Sequence, residues 1–190
     1  MKLRPEIGCP AEARDAAAAR VGNLMSWGQL KLGQGSFTLS MPHAVFFLRA
    51  TRLAHGGRLR AIAEPGGWRF LVRRGGDLVA AVQAWEADGR WKVSMVKSGS
   101  WATKTRPALE AAEAALAAKA TPTFLWCRSA WTAALWLQAD EASHDLVVPL
   151  PYVRHPLKPL VPLPAAQFLS EILAMVAPDP GLGALGVPPT

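Results

Sequence analysis

Residues 68–96 read WRFLVRRGGDLVAAVQAWEADGRWKVSMV. Two short turn sequences, Gly75-Gly76 and Asp88-Gly89, divide this stretch into three runs that are rich in Val, Phe and Trp. Glycine accepts the positive φ of tight hairpin turns, and β-branched and aromatic residues favour strands. The stretch therefore predicts an antiparallel meander with strands over 68–73, 78–85 and 90–96.

The same pattern continues on both sides of this stretch. Upstream, His55-Gly56-Gly57 and Pro65-Gly66-Gly67 are predicted to be further turns, with strands over 37–40, 44–53 and 58–63. Downstream, strands are predicted over 124–127, 131–138 and 146–150, although 131–138 also fits a short helix.

Three segments predict helices. Residues 11–25 and 106–120 are rich in Ala, and an Ala-rich helix thus precedes strands twice. Residues 164–176 place apolar side chains on one side of a helix that Pro164 opens. The predicted class is α+β, an antiparallel meander of about five to eight strands with two to three helices packed on one face. Residues 1–177 would form a single domain with a proline-rich arm at 149–164, followed by a Gly/Pro-rich tail at 178–190.

The composition limits the classes of protein that need to be considered. The chain has 190 residues, and its longest apolar runs fall short of the ~18–20 residues of a membrane span. The amino-terminal segment lacks the apolar stretch of a secretory signal, so a cytoplasmic location is expected. Cys9 and Cys127 are expected to be reduced, although their pairing is left open.

The positive charge is concentrated in the middle of the chain. The net charge is +7, yet residues 49–106 hold twelve basic and four acidic side chains. Strand alternation would place several of these cations on one open face of the sheet. The predicted partner-binding residues are Arg58, Arg60, Arg69, Arg73 and Lys92. Such a face would bind an acidic protein or a nucleic acid, while ordinary solvation of a sheet surface is the alternative.

A second candidate lies before the helix at 106–120. Hydroxyl groups, cations and free backbone N–H groups at a helix start can hold an anion. The predicted anion-site residues are Lys97, Ser98, Ser100, Lys104 and Thr105. Simple capping of the helix by Thr105 explains part of the same pattern.

Other motifs carry little chemistry. Residues 181–186 match GxGxxG, but prolines precede them and no helix can follow them. The four histidines have no metal-ligand spacing, so neither a metal nor a cofactor is predicted. Cys127, His144 and Asp145 would form a thiol site only if the fold brought them together.

The sequence therefore favours a non-catalytic binding or assembly subunit. It would use the basic sheet face and the proline-rich arm against a protein partner or a second copy of the chain. A nucleic-acid-binding protein is the second hypothesis, and a small enzyme with an unrecognised site is the third.

Overall fold

The computed structural model describes residue 3 and residues 8–26, 36–98, 103–117, 119–151 and 156–176, with only the backbone at 41 and 94–98. Its strands are β1 Thr38–Leu48, β2 Glu64–Arg74, β3 Asp77–Ala87, β4 Arg90–Ser98, β5 Ala120–Cys127, β6 Thr132–Ala139, β7 Leu146–Pro149 and β8 Leu163–Pro164. Its helices are α1 Ala11–Ser26, α2 Ala50–Ala54, α3 Leu59–Ile62, α4 Thr105–Ala115 and α5 Ala165–Val176, with a 3-10 turn at Ala142–His144. The α+β class is confirmed.

The strands form one mixed sheet, which corrects the prediction of a purely antiparallel meander. Their order is β4-β3-β2-β1-β5-β6-β7-β8. Two antiparallel runs, β1 to β4 and β5 to β8, meet where β1 pairs with β5 in parallel, with Val45 beside Phe124. The chain returns from the edge strand β4 to the middle of the sheet through α4, because a parallel pair needs a long crossover connection.

Helix α1 covers one face of β2, β3 and β4. Its buried side chains, Ala13, Ala17 and Val21, are small, so the helix can lie close to the strands. They pack with Phe70 and Val82 in the core of this half of the sheet. Strands β2 to β4 are therefore buried on that face by small helical side chains.

On the same face, α5 covers the other half of the sheet together with α2 and α3. Phe168 and Ile172 of α5 share a cluster with Leu53 of α2, Leu59 of α3 and Trp136 of β6. This cluster joins the two short helices after β1 to the carboxyl-terminal helix.

Helix α4 lies on the opposite face, which corrects the prediction that all helices pack on one side. Ala108 and Ala112 pack in a cluster with Val45 and Phe124, whose strand neighbours belong to the α5 side. A half-turn about an axis that runs between β1 and β5, parallel to them, would exchange the two halves of the sheet. The same half-turn would also exchange the two faces of the sheet. The two Ala-rich helices, α1 and α4, accordingly lie on opposite faces.

Two of the four predicted glycine turns are confirmed, namely Gly75-Gly76 and Asp88-Gly89. His55-Gly56-Gly57 instead connects the two short helices α2 and α3, so the strand predicted over 58–63 is wrong. Pro65-Gly66-Gly67 lies within β2 rather than between strands. The predicted strand over 44–53 stops at Leu48, where α2 follows.

The other predicted elements agree more closely with the structure. Strands over 131–138 and 146–150 are confirmed, as are the first and last helices, while the helix predicted over 106–120 ends at Ala115. In the proline-rich arm, residues 152–155 lie outside the described part. The rest of the arm returns to the sheet edge, where Leu163 pairs with Val147, and then leads into α5. The tail at 178–190 also lies outside the described residues.

Candidate partner-binding site

Two adjoining cavities open at the end of the sheet that contains the carboxyl ends of the central strands β1 and β5. They measure about 660 Å³ and about 790 Å³ and share Phe47 and Arg49. We call their common lining the tryptophan groove; its large side chains are Phe47, Arg49, Trp68, Trp85, Trp91, Trp126, Arg128 and Trp131. The carboxyl ends of two adjacent parallel strands meet here, and the next strands along the chain, β2 and β6, lie on opposite sides of this pair. Open sheets that contain parallel strands form binding crevices at such positions.

Two glycines of β2 allow neighbouring atoms to approach the β2 backbone closely beside the groove. Gly67 has φ +106°, and a Cβ atom on it would lie 2.1 Å from the carbonyl oxygen of Ala84. A Cβ atom on Gly66 would lie 2.3 Å from a ring carbon of Phe47. The β1–β2 register shifts here, between Val45 and Phe46. The irregular backbone of β2 therefore forms one wall of the groove and contacts the ring of Phe47.

Trp131 closes the other end of the groove and is unusually placed. It is 60% exposed and has φ +50°. It ends the turn between β5 and β6, where its N–H donates to the carbonyl of Arg128 at 3.1 Å. Thr132 is buried and its Oγ1 donates to the carbonyl of Ala130 at 3.0 Å. The turn is thus fixed by hydrogen bonds while it holds an indole in solvent.

The cations of the groove differ in their partners. Arg49 Nε lies 2.6 Å from Glu64 Oε2, and Arg52 donates to the other oxygen of the same carboxylate at 3.0 Å. The hydrogen bond from Arg52 and the charges of both arginines lower the pKa of Glu64. Arg128 is exposed, and no described residue forms an ion pair with it. Glu86 lines the same groove, so the groove carries charges of both signs.

The structure separates the five residues of the predicted basic face. The β1–β4 register places Arg69, Arg73 and Lys92 on one face, as strand alternation requires. Arg69 is only 4% exposed, however, and Lys92 Nζ is paired with Asp88 at 2.8 Å. Arg58 and Arg60 lie at α3, away from those strands. These five cations do not form one open surface.

Arg60 is committed to a buried carboxylate. Its Nε and Nη2 donate to the two oxygens of Asp145 at 2.9 and 2.6 Å. Asp145 also accepts hydrogen bonds from Trp136 Nε1 and from the backbone N–H of Ala139, each at 3.0 Å. Hydrogen bonding to Asp145 raises the pKa of Arg60. This network joins α3 to the end of β6 and is structural.

The predicted anion site is described only in part. Thr105 is the first residue of α4 and is fully buried, and its Oγ1 accepts a hydrogen bond from Arg69 Nη2 at 3.0 Å. Lys104 stands at the N-cap without a side-chain capping bond. The side chains of Lys97 and Ser98, and all of Ser100, lie outside the described residues. Arg69, which sequence reasoning assigned to the sheet face, thus reaches the start of the helix as well.

The groups of the hypothetical thiol site have separate partners. Cys127 Sγ lies 3.5 Å from Ser129 Oγ, and the exposed His144 is 3.8 Å from Glu141. Asp145 is occupied by the Arg60 network. Among the described residues, no group of three or more His, Cys, Asp or Glu side chains could hold a metal ion.

Sequence reasoning missed Phe47, Trp126 and Trp131 as parts of a site. Trp131 was assigned to the start of a strand, and its only local signal is a position between a short turn and the first paired residue of β6. The groove exists because β1 and β5 are neighbours, which local patterns do not reveal.

In the described part of the chain, no helix has the length and apolar character needed to cross a membrane. Comparison with protein-family models, curated proteins and solved structures finds no match to this chain.

Proposed function

We infer that this chain is a non-catalytic binding subunit that holds a segment of a partner protein in the tryptophan groove. The observation that carries this proposal is Trp131, whose indole is 60% exposed on a turn with φ +50°. A left-handed backbone at a non-glycine residue costs about 1–2 kcal/mol. An exposed indole also lacks the favourable free energy that burial of its ring would give. A partner that covers Trp131 would explain both unfavourable features.

The surroundings of Trp131 fit a protein interface. Trp and Arg are the residue types that most often dominate the binding free energy between proteins, and the groove combines Trp126, Trp131 and Arg128 in one cavity. The turn is fixed by its own hydrogen bonds, so little freedom is lost on binding. The guanidinium of Arg128, which forms no ion pair with a described residue, favours an acidic group on the partner.

The charges of the groove favour a protein over a nucleic acid. Binding a phosphate backbone requires a row of cations that release counterions. Here Arg49 is already paired with Glu64, and Glu86 adds a negative charge beside Trp85. The proposal therefore keeps the class of binding subunit and replaces the basic sheet face with the tryptophan groove as the contact surface.

The test is a comparison of four forms of the full chain. Wild type, Trp131→Gly, Val161→Thr on the proline-rich arm and Leu173→Gln on α5 are used as bait, and each retained protein is purified for affinity measurement. Loss of an interface hot spot weakens binding by tenfold or more, which is about 1.4 kcal/mol or above. We expect that loss for Trp131→Gly, while Leu173→Gln, a control at an apolar side chain that is 39% exposed, should bind like wild type.

Other outcomes discriminate between surfaces and partners. Loss of binding in Val161→Thr alone would indicate that the partner contacts the proline-rich arm, and would contradict the proposal that it binds in the tryptophan groove. Light scattering of the wild type and Trp131→Gly tests whether the partner is a second copy. Binding of single-stranded oligonucleotides with a steep salt dependence that Trp131→Gly abolishes would replace the protein partner with a nucleic acid.

A further inference from the structure

Buried polar atoms on β1 and β2 have no hydrogen-bond partner among the described residues, including Ser40 Oγ, His43 Nδ1 and Arg73 Nε. The register pairs Ser40 with Leu71, His43 with Arg69 and Arg73 with Thr38, so the three side chains lie on one face of this strand pair. Buried polar groups in native proteins are almost always hydrogen-bonded. Three neighbouring exceptions on one face indicate that an occupant supplies their partners.

The charge of this region defines the sign of the occupant. Arg69 lies next to His43 across the strand pair, and its guanidinium is 4.5 Å from the ring centroid of Phe124. Burial lowers the pKa of Arg69 to about 10, so it remains protonated near neutral pH. Arg73 brings a second positive charge and makes no salt bridge with a described carboxylate. Two guanidinium groups exclude a cation and favour an anion.

Helix α4 begins at the same place. Its first residue, Thr105, accepts the hydrogen bond from Arg69, so the amino-terminal end of an 11-residue helix points toward the strand pair. The dipole of a helix start adds positive potential there. His43 is 1% exposed, and burial followed by the charge of Arg69 lowers its pKa to about 3. The imidazole is therefore neutral and can donate one N–H without adding charge.

We propose that Ser40, His43 and Arg73 bind a small oxyanion beside Arg69 and the start of α4. All three atoms without partners can act as donors, since a hydroxyl, a neutral imidazole and a guanidinium each carry N–H or O–H groups. A phosphate or carboxylate supplies several acceptor oxygens for them and neutralises buried positive charge. Arg73 is half-buried, so it lies at the solvent end of the site. The site is separate from the tryptophan groove, at the other end of β1.

The test uses calorimetry on the full chain at constant chloride concentration. Inorganic phosphate and acetate form two arms that distinguish a tetrahedral from a planar oxyanion. Wild type should bind one of them with one site per chain. Arg73→Gln should weaken that binding by about tenfold or more, because a charged hydrogen bond is lost. Arg74→Gln, the next residue on β2 with its side chain on the other face, should change binding by less than about twofold.

Two results would overturn the proposal. One is the absence of binding heat and of any rise in Tm with either anion. The other is an equal loss of affinity in Arg73→Gln and Arg74→Gln, which would indicate general electrostatic attraction. Nitrogen NMR of His43 adds a readout that does not depend on the variants. Nδ1 should shift when the bound anion accepts its hydrogen bond, and an unchanged Nδ1 in the bound state would place the anion elsewhere.

Discussion

Asp145 and Trp131 show how much one side chain determines in this molecule. Asp145 is almost fully buried, and its two oxygens accept four hydrogen bonds from α3, Trp136 and the end of β6. Trp131 is exposed, and its backbone is unfavourable. The first residue stabilises the fold, whereas the second costs stability, and we propose that it contacts a partner protein.

Replacement of Asp145 with Asn should strongly destabilise the protein. The amide keeps the shape but leaves Arg60 without a counter-charge and points an N–H group at other donors. The side chain of Arg60 is 35% exposed, so the loss should be about 2–3 kcal/mol of the free energy of unfolding, below the ~3–5 kcal/mol of a fully buried ion pair. Urea denaturation measures this loss. Glu141→Gln, an exposed carboxylate four residues earlier, should change stability by less than about 0.5 kcal/mol, and equal losses in both variants would contradict a structural role for the network.

Trp131→Gly should leave the free energy of unfolding unchanged or raise it by up to about 1 kcal/mol. Glycine relieves the left-handed strain but adds freedom to the unfolded chain, and the two effects are of similar size. Thermal and urea unfolding measure the change. A large loss of stability would show that the indole supports the fold, and would remove it as a separate indicator of partner binding.

Hairpins formed by neighbouring strands were predictable, because their turns and alternation are local. Gly75-Gly76 and Asp88-Gly89 correctly mark the turns between β2, β3 and β4. The same reasoning failed at Gly67, where the positive φ belongs to an irregular strand that passes close to Ala84. The tryptophan groove could not be predicted either, since it depends on the pairing of β1 with β5, and this contact joins residues far apart in the sequence.

Gly67→Ala tests this interpretation of β2. The added Cβ would clash with the Ala84 carbonyl, and the residue would keep an unfavourable φ. We expect a loss of at least about 2 kcal/mol in the free energy of unfolding. Gly22→Ala is the matched control, because a Cβ atom there meets nothing within 4 Å. In the interior of α1 it should stabilise the protein by about 0.5–1 kcal/mol. Destabilisation by both variants would contradict the argument.

The stability of the protein as a whole should depend on pH through one buried group. The pKa of His43 is lowered to about 3 in the folded state by burial and by Arg69, against an ordinary value of 6.5. Below pH 6.5 the unfolded chain therefore takes up a proton that the folded chain does not. The free energy of unfolding should fall as the pH drops from 6.5 toward 3, by up to about 1.4 kcal/mol per pH unit.

The measurement is urea unfolding between pH 6.5 and pH 5, above the range in which most carboxylates titrate. Buffers should contain neither phosphate nor carboxylates, so that the proposed oxyanion site stays empty. His43→Leu should flatten the pH dependence, whereas His55→Gln, an exposed histidine, should retain it. The same slope in His43→Leu and wild type would show that other groups cause the effect.

The parallel contact between β1 and β5 also has a consequence for the order of folding. The longest connections within the two antiparallel halves are residues 49–63 and 150–162, whereas the contact between the halves must bring together residues roughly 80 positions apart, such as Val45 and Phe124. Closing so long a loop costs conformational entropy before any contact compensates it, which slows folding. The two halves should therefore gain structure before they join. The tryptophan groove, which spans both halves, would be the last part of the molecule to form.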